Sequence, residues 1–232
     1  MLNLRKSADR GATRIDWLDS RHSFSFNDYR DPAFEGFGAL RVLNEDRIAA
    51  GGGFGEHSHR DMEIVTYVLE GAIRHSDSAG GGGLIRPGEI QRMSAGHGIS
   101  HAEVNASATE ACHLLQIWIL PSKKGGKPSY EQKPLTEAAL RNHLARIAAS
   151  EPQANEVRIE QDAEIWAARL DPNIEVIHAL ERGRRAWLHV ARGEVSVDGE
   201  RLGAGDAAAI TDQKNIVIRS HAPSEFLLFD LA

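Results

Sequence analysis

Residues 51–71 read GGGFGEHSHRDMEIVTYVLEG and carry the pattern that decides the fold. After His57 and His59, residues 63–70 form a run rich in β-branched and aromatic side chains that stops at Gly71. Such a run predicts a buried β-strand. Because strand side chains alternate between two faces, two histidines separated by one residue are expected on the same side of a strand.

A second stretch repeats this spacing with a different pair. Residues 94–105 read SAGHGISHAEVN and place His101 two residues before Glu103. An isolated HxH pair is often an ordinary surface or hydrogen-bonded pair, but here the HxH pair, a β-rich run, a glycine turn and an HxE pair lie within about fifty residues. Two such strands facing each other predict one metal site, formed by His57, His59, His101 and Glu103.

The ligand set also indicates the kind of metal. Three neutral imidazoles and one carboxylate leave one or two positions open on a five- or six-coordinate ion. This set suits one divalent transition metal ion, with Fe(II) preferred and Mn, Co, Ni, Cu or Zn as alternatives, better than calcium. An open position implies chemistry rather than structural support.

Composition limits the other functions. The chain has 232 residues, enough for one large or two smaller domains, and its net charge of -6 offers no electrostatic footprint for direct nucleic-acid binding. The single cysteine, Cys112, excludes an intramolecular disulfide and lies in a strand-like run that predicts an inert buried thiol. No export signal or membrane-spanning run is found, so we expect a cytoplasmic location and no membrane association.

The remainder of the chain indicates an all-β protein. Short strand-like runs separated by glycine-rich turns favour β-barrels or sandwiches. Residues 80–83, four glycines, predict a flexible hairpin tip, and the non-helical run that follows argues against phosphate binding. Residues 121–134 predict a linker. Residues 136–149 predict a helix in their first part, while residues 143–149 could equally form a strand.

The second half repeats the first without its histidine pairs. Residues 185–210 parallel residues 64–93, with Gly193 matching Gly71, which indicates internal duplication. Counted from these glycines, His57 and His59 match Ala179 and Glu181, and His101 and Glu103 match positions among residues 214–218. The remaining histidines of this half are interpreted as structural or exposed: His178, His189 and His221. The predicted domains are a metal-binding domain, residues 1–133, and a domain without metal ligands, residues 134–232.

The glycines and histidines resemble the two cupin motifs. The first motif is similar at Gly51, His57, His59 and Glu63, and the second at Gly88, Gly96, His101 and Asn105. Two departures matter: four residues instead of two separate Gly96 from His101, and seven instead of six separate Glu63 from Gly71. These shifts favour Glu103 over Glu63 as the carboxylate ligand.

The departures are similar to those of the pirin branch of the bicupins. Four segments match pirins almost residue for residue: residues 17–32, 36–46, 55–71 and 93–103. The resemblance implies two tandem cupin-type barrels with few short helices, a C-terminal cupin without metal, and His57, His59, His101 and Glu103 as ligands. For bacterial members it implies an enzyme that opens the flavonol quercetin with dioxygen and releases carbon monoxide, a quercetin 2,3-dioxygenase.

Within that reaction the metal is expected to act as Lewis acid and template, and Glu103 could take the proton of the flavonol 3-hydroxyl. Phe54, Met93, Gln116 and Trp118 lie on segments bordering the site, but we interpret them first as core packing. Two alternatives stay open. One is a non-catalytic metal or redox sensor that acts through a protein partner, as animal pirins imply; the other is a cupin sugar isomerase.

Overall fold

Strands account for nearly all regular structure in the computed structural model, which describes residues 1–232. The strands of the first half are β1 (Leu2–Arg5), β2 (Gly11–Ile15), β3 (Leu18–His22), β4 (Leu40–Ile48), β5 (Gly53–His59), β6 (Glu63–Glu70), β7 (Ile73–Asp77), β8 (Gly82–Ile85), β9 (Glu89–Ser94), β10 (Ile99–Asn105), β11 (Cys112–Ile119) and β12 (Ser129–Pro134). Those of the second half are β13 (Ala145–Ala149), β14 (Val157–Arg158), β15 (Ala163–Leu170), β16 (Glu175–Ala179), β17 (Arg185–Arg192), β18 (Glu194–Val197), β19 (Glu200–Gly203), β20 (Ala207–Ile210), β21 (Asn215–Ser220) and β22 (Ser224–Leu231).

Helix is confined to a 3-10 turn at Ser7–Asp9 and to α1 (Glu137–Leu140). The all-β prediction is therefore confirmed. Neither helix has the length or apolar character needed to cross a membrane.

The chain divides into two compact units. The N-terminal unit comprises Gly11–Pro134 and Ser150–Gln161, and the C-terminal unit comprises Met1–Arg10, Leu135–Ala149 and Asp162–Ala232. Two segments therefore differ from the predicted domains, residues 1–133 and 134–232. The first ten residues group with the C-terminal unit because β1 pairs antiparallel with β20, and residues 150–161 group with the N-terminal unit.

Two antiparallel sheets build the N-terminal unit. The larger has the order β12-β9-β6-β11-β4-β3-β2 and the smaller the order β5-β10-β7-β8. One apolar cluster joins the two sheets, since Val68 and Leu114 of the larger pack with Ile73 and Ile85 of the smaller. Burial of side chains of this size stabilises the unit by about 1.5–3 kcal/mol each before the entropy of ordering is counted.

The C-terminal unit repeats this topology. Its smaller sheet has the order β16-β21-β18-β19, and its larger sheet contains β1-β20-β17-β22-β15-β13. The matched glycines Gly71 and Gly193 both follow a central strand and have φ angles of +72° and +74°. A Cβ at either position would come within 3.0 Å of backbone, so both the left-handed backbone and the close approach require glycine.

Two local predictions need correction, and a third is confirmed. The predicted linker, residues 121–134, ends in β12, which pairs residue by residue with β9. The helix predicted for the first part of residues 136–149 forms and lasts one turn, because Asn142 has a φ of +59° and β13 follows. Of the four glycines predicted as a flexible tip, Gly82 and Gly83 belong to β8 and pair with β7.

Candidate metal centre

Three histidines converge on neighbouring strands of the smaller N-terminal sheet. His57 of β5 lies opposite His101 of β10, and His59 lies opposite Ile99. The side-chain nitrogens of His57, His59 and His101 that could bind a metal all lie within 4.8 Å of one another. Because strand side chains alternate between faces, both histidines of the HxH pair lie close to His101, the histidine of the HxE pair.

Hydrogen bonds orient two of these imidazoles. His57 Nδ1 lies 2.8 Å from the Gly55 carbonyl oxygen, so that Nδ1 carries the proton and Nε2 retains its lone pair. His101 Nδ1 lies 3.5 Å from Nδ1 of His75, while its buried Nε2 has no hydrogen-bond partner. A buried nitrogen without a partner is costly unless a ligand uses it, so the histidine group fits a bound transition metal ion.

The protonation state of His59 and His101 is also the one that metal binding requires. Burial and, to a smaller extent, repulsion by His57 lower the pKa of His59 to about 4, against the opposing effect of Glu103. Burial likewise lowers the pKa of His101 to about 4. Both imidazoles are therefore neutral at neutral pH, which is the form that binds metal.

Glu103 falls into an adjoining group rather than into the three-histidine group. Its candidate ligand atom lies within 4.8 Å of those of His75 and His101. Thr66 Oγ1 donates to Glu103 Oε1 over 3.2 Å, and Gln116 Nε2 donates to Oε2 over 2.6 Å. Burial would raise the pKa of Glu103, but the nearby imidazoles of His75 and His101 and the hydrogen bond from Thr66 lower it overall, so the carboxylate is ionised.

The rival carboxylate Glu63 lies elsewhere. Its side chain accepts hydrogen bonds from Ser94 Oγ over 2.7 Å and from the backbone N–H of Glu160 over 3.2 Å. It lines a different cavity, beside Asp61. Glu63 and the histidine group are thus in separate environments.

His75 is the principal residue at this centre that sequence reasoning missed. It is buried on β7, with Nε2 3.4 Å from Asp77 Oδ2 and Nδ1 3.9 Å from Glu103 Oε1. The alternation Ile73, His75, Asp77 on a predicted strand places all three on one face, and this signal could have identified it.

A cavity of about 210 Å³ adjoins the histidines. One part of its wall is apolar and includes Leu18, Phe26, Phe54 and Trp118. Another part is polar and includes Thr13, Ser20, His22, Asn44, Asp46 and Gln116. Of the four residues interpreted first as core packing, Met93 packs with Ile64 in the core as expected. Phe54, Gln116 and Trp118 line the cavity instead.

The cysteine and the other histidines have structural surroundings. Cys112 is buried, and burial together with nearby carboxylates raises the pKa of its thiol to about 11. In the C-terminal unit His178 Nε2 lies 2.7 Å from Asp230 Oδ2, and His221 Nε2 lies 2.8 Å from Ser196 Oγ. His189 is fully buried.

Strand pairing refines the comparison of the two halves. His178 lies opposite Ile216 as His57 lies opposite His101, so His57 matches His178 rather than Ala179. The match counted from the glycines was wrong by one residue, because the segment from His178 to Gly193 is one residue longer than the segment from His57 to Gly71.

Known proteins resemble the chain along its whole length. The Pirin family model matches residues 3–119, and the model of the quercetinase C-terminal cupin domain matches residues 146–231. Quercetin 2,3-dioxygenase of Escherichia coli strain K12 is 44% identical over 231 residues, which cover 100% of this chain and 99% of that protein.

Two solved structures extend the comparison. The bacterial pirin YhhW of Escherichia coli in complex with nickel(II) has a TM-score of 0.94 and 43% identity, covering 100% of this chain and 99% of that one. A quercetin 2,3-dioxygenase of Acinetobacter baumannii has a TM-score of 0.80 at 21% identity over 99% of this chain and 78% of that one, which supports the fold alone.

Proposed function

Because this chain belongs to the pirin family and has its two cupin domains, we propose that it is a metal-dependent dioxygenase that opens the flavonol quercetin. Dioxygen would be the co-substrate, and a depside and carbon monoxide the products. The observation that carries the proposal is the group His57, His59 and His101, with the unpartnered Nε2 of His101, beside a cavity with an aromatic wall.

His57, His59, His101 and Glu103 would hold one divalent transition metal ion, with Fe(II) preferred. When bound, such an ion supplies Lewis acidity and a template for the flavonol and dioxygen. His59 and His101 need lose no proton to bind it, since burial lowers the pKa of both imidazoles and keeps them neutral. Glu103 would be the fourth ligand, reaching the ion from the adjoining group that it forms with His75 and His101.

Glu103 would also accept the proton of the substrate 3-hydroxyl. Its lowered pKa keeps it ionised, and the donors Thr66 and Gln116 hold its two oxygens in place. A positioned carboxylate of this kind contributes about 10²–10⁴-fold in general-base catalysis.

The cavity wall favours a flat aromatic substrate. Trp118 and Phe54 provide ring surfaces next to the histidines, with the Trp118 ring centroid 4.8 Å from that of His59. Aromatic side chains bind flat rings by stacked or edge-to-face contact and exclude water.

Anaerobic reconstitution tests the proposal. Metal-free protein is loaded separately with Fe(II), Mn(II), Co(II), Ni(II) or Cu(II), and quercetin loss, oxygen uptake and carbon monoxide release are followed after air is admitted. We expect equal amounts of all three with at least one metal. If the protein retains metal but turns over no quercetin with any of the five ions, the dioxygenase proposal is contradicted. A metal sensor that acts through a protein partner is then favoured.

A further inference from the structure

A buried polar patch lies on the interior face of strands β3 and β4, apart from the candidate metal ligands. Ser20 pairs with Asp46, and His22 pairs with Asn44, in alternate positions of the antiparallel ladder, so that all four lie on one face. All four side chains are buried, with relative exposures of 1–4%. All four also line the cavity that adjoins the histidine group.

The hydrogen bonds within the patch leave two atoms available. Ser20 Oγ donates to Asp46 Oδ1, which leaves Asp46 Oδ2 without a partner. His22 Nδ1 lies 2.8 Å from Asn44 Oδ1, and His22 Nε2 lies 2.8 Å from Thr13 Oγ1. With its oxygen used by His22, Asn44 keeps a free amide N–H. Both atoms belong to buried side chains that line the same cavity wall, so they are placed to hydrogen-bond a ligand there.

The fold does not require this patch. Strand pairing places Ala168 and Trp166 of the C-terminal unit where the N-terminal unit has Asp46 and Asn44. Ala168 is fully buried in the apolar core of that unit. A cupin barrel in this same chain therefore closes with apolar side chains at these positions, and Asp46 and Asn44 need another reason.

Phenolic hydroxyl groups match the two free atoms. Above pH 7, where Asp46 is ionised, a hydroxyl on an aromatic ring can donate to its carboxylate and accept from the amide of Asn44. The opposing apolar wall, with Phe26, Phe54 and Trp118, suits the ring itself.

We propose that Asp46 and Asn44, positioned by Ser20 and His22, form a hydroxyl-binding subsite that selects polyhydroxylated aromatic substrates at the end of the molecule away from the metal. This inference rests on the proposed function, because it assumes that the metal holds the flavonol at its other end. The subsite sets specificity and takes no part in bond cleavage.

Equilibrium binding tests the subsite independently of turnover. The nickel(II)-loaded protein is titrated anaerobically with quercetin and with 3-hydroxyflavone, which keeps the 3-hydroxyl but lacks the other four hydroxyl groups. We expect the wild-type protein to bind quercetin about tenfold or more tightly, because a site that hydrogen-bonds a hydroxyl rejects an analogue without it. Asp46→Asn should raise the Kd of quercetin about tenfold and change that of 3-hydroxyflavone by less than about twofold.

Two further variants keep the test decisive. Ser20→Ala removes the hydroxyl that orients Asp46 and should reduce the Kd ratio in the same direction, even if Asp46→Asn folds poorly. Glu45→Gln is the matched control: this carboxylate neighbours Asp46 on β4, points to the other face and contacts His113 Nε2 at 2.9 Å. It should leave the ratio unchanged.

The outcomes separate the subsite from the proposed function. A Kd ratio unchanged in both Asp46→Asn and Ser20→Ala, or equal weakening of both compounds, overturns the subsite. Binding of quercetin without turnover removes the proposed function, while the Kd ratio still decides the subsite. A protein that binds neither compound overturns both.

Discussion

In the N-terminal unit a row of polar side chains crosses five strands of the larger sheet, whereas the corresponding row of the C-terminal unit is apolar. Strand pairing links the members of the first row in the order Gln132, Gln91, Thr66, Gln116 and Asn44. The same pairing, counted from the matched glycines, links Leu4, Ala208, Leu188, Leu228 and Trp166 in the second. The second row belongs to the apolar core of its unit.

The candidate metal ligands of the N-terminal unit also match mostly apolar residues in the C-terminal unit. His101 and Glu103 correspond to Ile216 and Ile218, and His59 corresponds to Leu180. Only His57 has an imidazole counterpart, His178, whose Nε2 is bonded to Asp230. The two units therefore share one topology, which forms with a polar interior in the N-terminal unit and with an apolar interior in the C-terminal unit. The polar interior costs desolvation that folding alone does not require, which indicates that it serves the chemistry of one unit.

Removal of the HxH pair should have the largest effect. His57→Ala combined with His59→Ala leaves His101 as the sole imidazole of the group, so we expect complete loss of a bound metal that wild-type protein holds at one ion per chain. Metal analysis after desalting measures the stoichiometry. His97 is an exposed histidine between the HxH and HxE pairs, so His97→Ala is the control and should retain the ion. Two ions per chain in wild type would contradict the contrast between the units.

The next largest effect on metal binding is expected from substitution of Glu103, compared with substitution of Glu63. Glu103→Gln keeps the shape but loses the charge, so metal affinity should fall by about 10–100-fold and turnover should be nearly abolished. Glu63→Gln should retain metal and turnover, because Glu63 is bonded to Ser94 in another cavity. Metal competition titrations compare the variants. The reverse order would assign the site to Glu63.

Part of this contrast was predictable from sequence, for a physical reason. Pairs such as HxH and HxE report a shared strand face directly, because the alternation of side chains is local. Asp46 and Asn44 gave no such signal, since a single polar residue in a strand reads the same whether its face is buried or exposed. Gln132 was hidden in a stretch whose proline and glycine content predicted a linker. Its role depends on pairing with Gln91, more than forty residues away, which no local pattern reveals.

A pH series should distinguish the buried carboxyl Asp46 from its apolar counterpart Ala168. Burial raises the pKa of Asp46 from 3.8 to about 7, against the hydrogen bond from Ser20. Between pH 4 and 7 the folded state therefore keeps a proton that the unfolded state has lost, so stability falls as pH rises. In metal-free protein, Asp46→Asn should remove a loss of up to about 4 kcal/mol across this window. Urea unfolding at pH 4, 5.5 and 7 measures it; parallel curves for variant and wild type would contradict the shift.

Replacing one residue of the apolar row by its polar counterpart should destabilise the C-terminal unit. Leu188→Thr buries a hydroxyl without a prepared partner and removes packing volume, so it should lower the free energy of unfolding of the C-terminal unit by about 3 kcal/mol. The reciprocal Thr66→Val should cost about 1 kcal/mol, since the shape is retained and the bonds to Glu103 and Gln116 are lost. Hydrogen exchange in β17 and β6 measures each unit separately. Equal costs would mean that the two interiors are equivalent.

The smallest effect is expected where the C-terminal unit retains its one matching imidazole. His178→Gln keeps a donor for Asp230 but removes the ring that corresponds to His57, and Glu181→Ala removes an exposed carboxylate three residues further along the chain. Because Ile216, Ile218 and Leu180 supply no ligand atoms, no metal can be shared with His178, and its bond to Asp230 has a structural role. Metal content should stay at one ion per chain, and kcat and KM for quercetin should stay within about twofold of wild type. Loss of turnover in His178→Gln, with metal content and unfolding curve preserved, would give the C-terminal unit a chemical role and end the distinction between a reactive and a supporting barrel.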